Sequence, residues 1–342
     1  MGVRATFRDK WIFVDCLSRN LHLTPFSGLV LALLFATAAH AYLPPMGVEV
    51  ELVEFSADGK TLQGGMFQPD AKRFAKPSVG VVLVHGVESY WYQGPPMFLA
   101  SLLADRGYAA LAYNGAHSGE SFRTSEFETA VREVGAAIAY MKSRGYQRIA
   151  LAGHSLGTPI VEYYQGADPD PAVKALALYG PHINIPAITR DSLLGPELYE
   201  KFRAECRELV ASGKGDEIKL LPYREGRVII TSAKTFISYR DVDTSKAAVE
   251  KLIQRIKVPL LIVYDPADNI QGKGGLTKRE TLAGEIKANA VAAPRADVMV
   301  IPSTAQTSPL RAHNFIGNEH LVAEKTAQWL QGVGLAPAAV HK

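Results

Sequence analysis

The chain has 342 residues, 47% of them hydrophobic and 21% charged, an ordinary composition for a folded protein with a sizeable core. Its net charge of +3 is close to balance, which gives no electrostatic case for nucleic acid or another polyanion. Two cysteines, Cys16 and Cys206, exclude a disulfide scaffold, since Cys16 falls in a segment expected to be removed.

That segment is residues 1–41. Arg4, Arg8, Lys10 and Arg19 precede the apolar run "GLVLALLFATAA", which ends at Ala39-His40-Ala41. A basic region, a short apolar core and an A-x-A site describe a secretory signal peptide. The competing reading is an uncleaved anchor. The run is shorter than the ~20 residues that span a bilayer, so cleavage after Ala41 is preferred. The mature chain then starts at Tyr42, is periplasmic or secreted, and has no stable membrane insertion. Its net charge is +1, because four basic residues leave with Asp9 and Asp15.

"VEVELVEFSADG" (48–59) alternates and stops at Asp58-Gly59, so it reads as a strand and turn, with "TLQGGMFQP" (61–69) as the hairpin partner. "SVGVVLVHG" (78–86) is a continuous β-branched run, the pattern of a strand buried on both faces. A helix is expected from Pro95 to Asp105, with prolines at its start and Gly107 past its end. "YAALAYNG" (108–115) is the next strand. Over 124–144, Phe127, Val131, Val134, Ile138 and Met141 make one apolar helical stripe. "RIALAG" (148–153) is a strand, "SLGTPIVEYYQ" a helix and "VKALALYG" (173–180) a strand. Then come a strand at 258–265, a helix near 276–290, a strand at 297–302 and a helix near 317–332. The alternation predicts a mostly parallel eight-stranded α/β sheet with helices on both faces.

Residues 182–257 break this rhythm and are too long for an ordinary loop. They are read as a cap, with helices near 196–212 and 244–256 and a β-like run at 227–232. The core then occupies 42–181 and 258–342. An independent domain of this size and charge would make a poor core alone.

Gly153-His154-Ser155-Leu156-Gly157 sits between a buried strand and a helix. A serine on such a turn has strained backbone angles and crowded flanks, which explains small residues on both sides. Ser155 is the candidate nucleophile, and the Leu156 N–H, at a helix start, is one oxyanion donor. The Val87 N–H, after His85-Gly86, is the other. A base is expected late in the chain, and His313 in "RAHNFIGNEH" is preferred to His320, which falls inside the closing helix. Asp268 is preferred to Asp265 as the acid that orients it, since Asp265 can bond turn amides instead. His154 is read as a packing residue. Tyr90, Trp91 and Tyr92 either anchor their loop or line a substrate pocket. No metal and no cofactor are implied, because no histidine pair has a ligand spacing.

The order His85-Gly86, "YNGAHSGES" (113–121), Gly-His-Ser-Leu-Gly, "YDPAD" (264–268) and a late histidine resembles the α/β-hydrolase superfamily, in its serine esterase or lipase-like branch. The resemblance covers about residues 48–333, with the cap in the usual place after the sixth strand. "YNGAHSGES" looks like the family's Arg-Gly-x-Gly-x-Ser loop, with Ala116-His117 for Gly-His. "YDPAD" looks like its Gly-x-x-Asp turn, with Tyr264 for Gly. The implied activity is hydrolysis of a small-molecule carboxylic ester through an acyl-enzyme. The same triad also serves a thioesterase, amidase or acyltransferase, and a catalytically silent binding protein is the reading from another class.

Overall fold

The computed structural model describes residues 45–222, 228–269, 278–303 and 307–341. The expected leader, residues 1–41, lies outside them. Among the described residues, no helix is long and apolar enough to cross a membrane.

Eight strands form one sheet: β1 (Glu49–Ala57), β2 (Lys60–Gln68), β3 (Val79–Val84), β4 (Ala109–Tyr113), β5 (Arg148–His154), β6 (Val173–Tyr179), β9 (Leu260–Tyr264) and β10 (Ala296–Val300). Two others, β7 (Ile218–Pro222) and β8 (Val228–Ser232), pair as a separate antiparallel hairpin. The large sheet runs β1-β2-β4-β3-β5-β6-β9-β10. Only β2 is antiparallel to its neighbours; the pairs from β4 to β10 are all parallel. The turn at Asp58-Gly59 places both residues at positive φ and closes the first hairpin.

The central strands are the ones whose sequence is apolar without alternation. Every residue of β3, β4 and β9 is buried. Helices on each face supply the cover. Helix α1 (Gly94–Ala104) packs on β4, and α2 (Phe127–Ser143) buries Phe127, Val134, Ile138 and Met141, with Val131 partly covered. Each such side chain taken wholly from water contributes about 1.5–3 kcal/mol. Helix α3 (Gly157–Ala167) follows β5 directly.

The segment between β6 and β9 differs from expectation inside. Helix α4 (Pro196–Ala211) is present as predicted, and so is the strand at 228–232. Its partner β7 and helix α5 (Ala233–Arg240) were not predicted. The helix expected over 244–256 shrinks to a single turn, α6 (Glu250–Ile253). Asp241 explains part of this: it accepts from Asp243 N–H and from Arg207, forms an ion pair with Arg203 at 3.4 Å, and so holds that stretch in a turn. Tyr199, Phe202, Cys206, Leu221, Ala233 and Phe236 form a small core within the segment. Its two ends meet: Ile185 N–H donates to Ala247 O (3.1 Å) and Val249 N–H to Ile183 O (2.8 Å), around an antiparallel bridge between Asn184 and Ala248. The last elements are α7 (Arg279–Asn289), α8 (Pro309–His313) and α9 (Glu319–Gly332).

Candidate active site

Ser155 stands between β5 and α3 with φ at +53°, in the left-handed region. The two flanking glycines are required by contact. A Cβ on Gly157 would lie 2.5 Å from Val84 O and 2.7 Å from His85 O, and one on Gly153 would meet the Gly157 carbonyl group. Ser155 N–H donates to Tyr179 O (3.0 Å), which fixes the elbow to the end of β6. Thr158 clamps it from the helix side: its hydroxyl donates to Ser155 O (2.7 Å) and accepts from His182 N–H (2.9 Å).

Asp268 lies in the turn after β9, and its Oδ2 accepts the Nδ1–H of His313 at 2.8 Å. A carboxylate only accepts, so Nδ1 of His313 carries a proton, and Nε2 is the nitrogen turned away from Asp268. His313 ends the short helix α8, whereas the sequence suggested a loop. It reaches the serine elbow through His154, whose Nε2–H donates to His313 O (3.0 Å). His154 therefore joins the two loops rather than merely packing. Gly180, at φ +54°, forms the floor beneath His313; a Cβ there would lie 2.9 Å from His313 Cε1.

Burial opposes charge on Asp268, but the His313 ring and the Arg279 guanidinium outweigh it and hold the carboxyl well below the usual carboxylate range. Arg279 is buried at the start of α7 and donates Nε–H to Asp268 Oδ2 (2.9 Å) and Nη1–H to Pro181 O (2.5 Å). Asp265 instead accepts from its own turn, at Ala267 N–H (2.9 Å), and from the Ser303 hydroxyl. His320 is exposed on α9.

The loop after β3 is held from below. His85 Nε2 accepts Gly115 N–H (3.0 Å), so its proton is on Nδ1, which donates to Gly86 O (2.7 Å). The His117 ring stacks on it at 4.0 Å and donates Nε2–H to His85 O (2.9 Å). Burial lowers the His85 pKa to about 4 and that of His117 well below its usual value, so both rings are neutral. Glu133, on α2, accepts Ala116 N–H at 2.6 Å. Glu88, at φ +52°, donates its N–H to His117 O. Among the described residues, the Val87 and Leu156 amides have no backbone acceptor.

The aromatic trio divides. Trp91 donates N–H to Asn114 Oδ1 (2.9 Å), lies over Gly65 and meets Phe67 edge-on, on strand β2. That strand is three positions from β5, about 14 Å at ordinary strand spacing, so Trp91 packs the sheet instead of lining a pocket at Ser155. Tyr90 seats against Gly119, and Tyr92 stacks on Tyr90 with centroids 5.3 Å apart. All three anchor the loop; only Tyr92 is exposed.

A profile of the serine aminopeptidase S33 family matches residues 75–289, more than half of the chain. The chain belongs to this family, within the α/β-hydrolase superfamily. No curated protein sequence matches it. Several solved structures share its fold. Est1E from Butyrivibrio proteoclasticus superposes with a TM-score of 0.60 at 17% identity, covering 82% of this chain and 98% of its own. The siderophore hydrolase EstB from Aspergillus fumigatus gives 0.61 at 15% identity, covering 85% and 99%. A thermostable carboxyl esterase from Bacillus coagulans gives 0.58 at 14%, covering 84% and 99%. At these identities the likeness is one of fold.

Two members of the site escape sequence reasoning. Arg279, in "LTKRET", reads as one charge on a polar helix, and only the tertiary fold carries it under Asp268. Gly180 reads as a strand end; its role comes from the ring above it. Among the described residues, no group of three or more His, Cys, Asp or Glu side chains stands together as a metal site.

Proposed function

We propose that this family member is a serine hydrolase that cleaves a carboxylic ester. The supporting observation is the 2.8 Å bond from His313 Nδ1 to Asp268, which commits that nitrogen and leaves Nε2 as the one available to a nucleophile, in a residue hydrogen-bonded to the left-handed Ser155 elbow. In this reading Ser155 Oγ attacks the ester carbonyl carbon as its proton passes to His313 Nε2. The Val87 and Leu156 amides take the oxyanion. The carbon–oxygen bond to the alcohol then breaks, and the alcohol leaves with the proton from His313. Water repeats the cycle on the acyl-enzyme and releases the acid. Asp268 remains ionised throughout and stabilises the imidazolium.

Fluorophosphonate labelling tests the nucleophile. The expected result is labelling of the wild-type protein and none of Ser155→Ala. A wild-type protein that resists the probe, or a Ser155→Ala variant that still turns over substrate, sinks the reading.

Amide cleavage is the second reading, favoured by the aminopeptidase description of the family. p-Nitrophenyl esters against matched p-nitroanilides decide between them, since the acyl part is shared and only the leaving group differs. We also infer that residues 182–257 act as a cap that shapes the acyl pocket, and that residues 1–41 direct export. A periplasmic or secreted protein starting at Tyr42 supports this; a chain retaining Met1 in the membrane fraction overturns cleavage, and a chain found in the cytosol overturns export.

A further inference from the structure

Arg279 is the most deeply placed cation beside the candidate triad, with 6% of its surface exposed. A buried guanidinium is costly to desolvate, and one of its nitrogens, Nη2, has no partner among the described residues. A buried ion pair in that condition does little for stability. Its geometry serves something else. The Nε–H and Nη1–H of one planar fork diverge to two acceptors, Asp268 Oδ2 at 2.9 Å and Pro181 O at 2.5 Å. The same Oδ2 receives His313 Nδ1–H. Pro181 follows Gly180, the residue under the His313 ring, and Gly180 N–H is itself bound to Val263 O (2.9 Å). The contacts thus run in a ring: Arg279 to Asp268, to His313, to Gly180 and Pro181, and back to Arg279.

We propose that Arg279 is a positioning residue that fixes the Asp268 carboxylate on His313 Nδ1 by clamping it to the Pro181 carbonyl, at the root of the segment between β6 and β9. The proposal rests on the serine-hydrolase reading above. Without the clamp, the carboxylate is free to rotate and His313 loses its fixed tautomer, which lowers kcat and leaves substrate binding intact.

The test uses the full-length protein and a p-nitrophenyl ester. Arg279→Met is expected to lose about 100-fold in kcat with KM within about threefold. Arg279→Lys keeps the charge but not the fork. It is expected to recover only part of kcat, and it serves if Arg279→Met fails to fold. In Arg279→Ala, guanidinium at a sub-denaturing concentration is expected to restore at least about tenfold of the lost rate, and equimolar urea none. A wild-type kcat in Arg279→Met overturns the proposal. So does a loss of rate in Arg279→Lys that follows only the folded fraction. Full activity in Ser155→Ala would instead overturn the underlying hydrolase reading, whatever the Arg279 variants do.

Discussion

Asp265 and Asp268, three residues apart on one turn, face opposite ways although the Asp268 N–H donates to the Asp265 carbonyl at 3.0 Å. Asp265 closes the turn through Ala267 N–H and Ser303, and Asp268 meets His313. The two Asp→Asn changes therefore separate structure from chemistry. Asp268→Asn is expected to cost about 10³–10⁴ in kcat, through loss of the correct imidazole tautomer. Asp265→Asn is expected to cost about 1 kcal/mol of stability with kcat within about fivefold. Steady-state kinetics and urea unfolding of both variants check the pair.

The left-handed backbone at Ser155 carries a cost that glycine avoids. A non-glycine residue there is strained by about 1–2 kcal/mol. Ser155→Gly is expected to unfold at higher denaturant than Ser155→Ala, with both inactive. Equal midpoints would mean that the elbow is unstrained.

His313 and His320 differ in burial and partners. His313→Ala is expected to reduce kcat by at least about 10³-fold, and His320→Ala, on the exposed face of α9, to stay near wild type. The opposite pattern moves the base to His320.

Stability should depend on pH with a definite sign. Burial lowers the pKa of His85 to about 4 and holds His117, His154 and His182 well below their usual value. Each is neutral when folded and protonates near 6.5 once unfolded, so unfolding takes up protons as the pH falls below about 6.5, down to about pH 4 for His85. Two buried carboxyls act in the other direction. Burial raises Glu133 to about 7 and Glu162 well above its range, so both release a proton on unfolding above about pH 4.5. Four against two leaves a net uptake of about two protons. Stability is therefore expected to fall on acidification from about pH 6.5 to about 4.5. Urea unfolding at pH 5, 6 and 7 measures this; a stability that rises toward pH 5 would refute the assignment.

Legibility from sequence followed the locality of the forces. The apolar run 79–84 and the stripe from Phe127 to Met141 carry their own periodicity, and both elements lie where the pattern puts them. Ser155, His313 and Asp268 could be chosen because chain order and flanking residues constrain them. The elements β7 and α5 could not, because each is held by a partner distant in sequence: Leu220 lies opposite Ile230, and Tyr199 packs on Phe236. The stretch over 244–256 is expected to be helical, and the turn that Asp241 holds through Arg203 and Arg207 comes just before it, which leaves only Glu250–Ile253 as a helical turn. Arg279 was missed for the same reason, since its meaning lies in Pro181 and Asp268.

The paired backbone at Asn184 and Ala248 brings the chain back beside the point where it departs. The segment between them thus leaves and returns through one doorway, while Tyr239 packs on Phe122 and Phe127 and ties its far part down onto the helical layer. A change of length inside the segment falls between those two anchors, away from the register of β6 against β9.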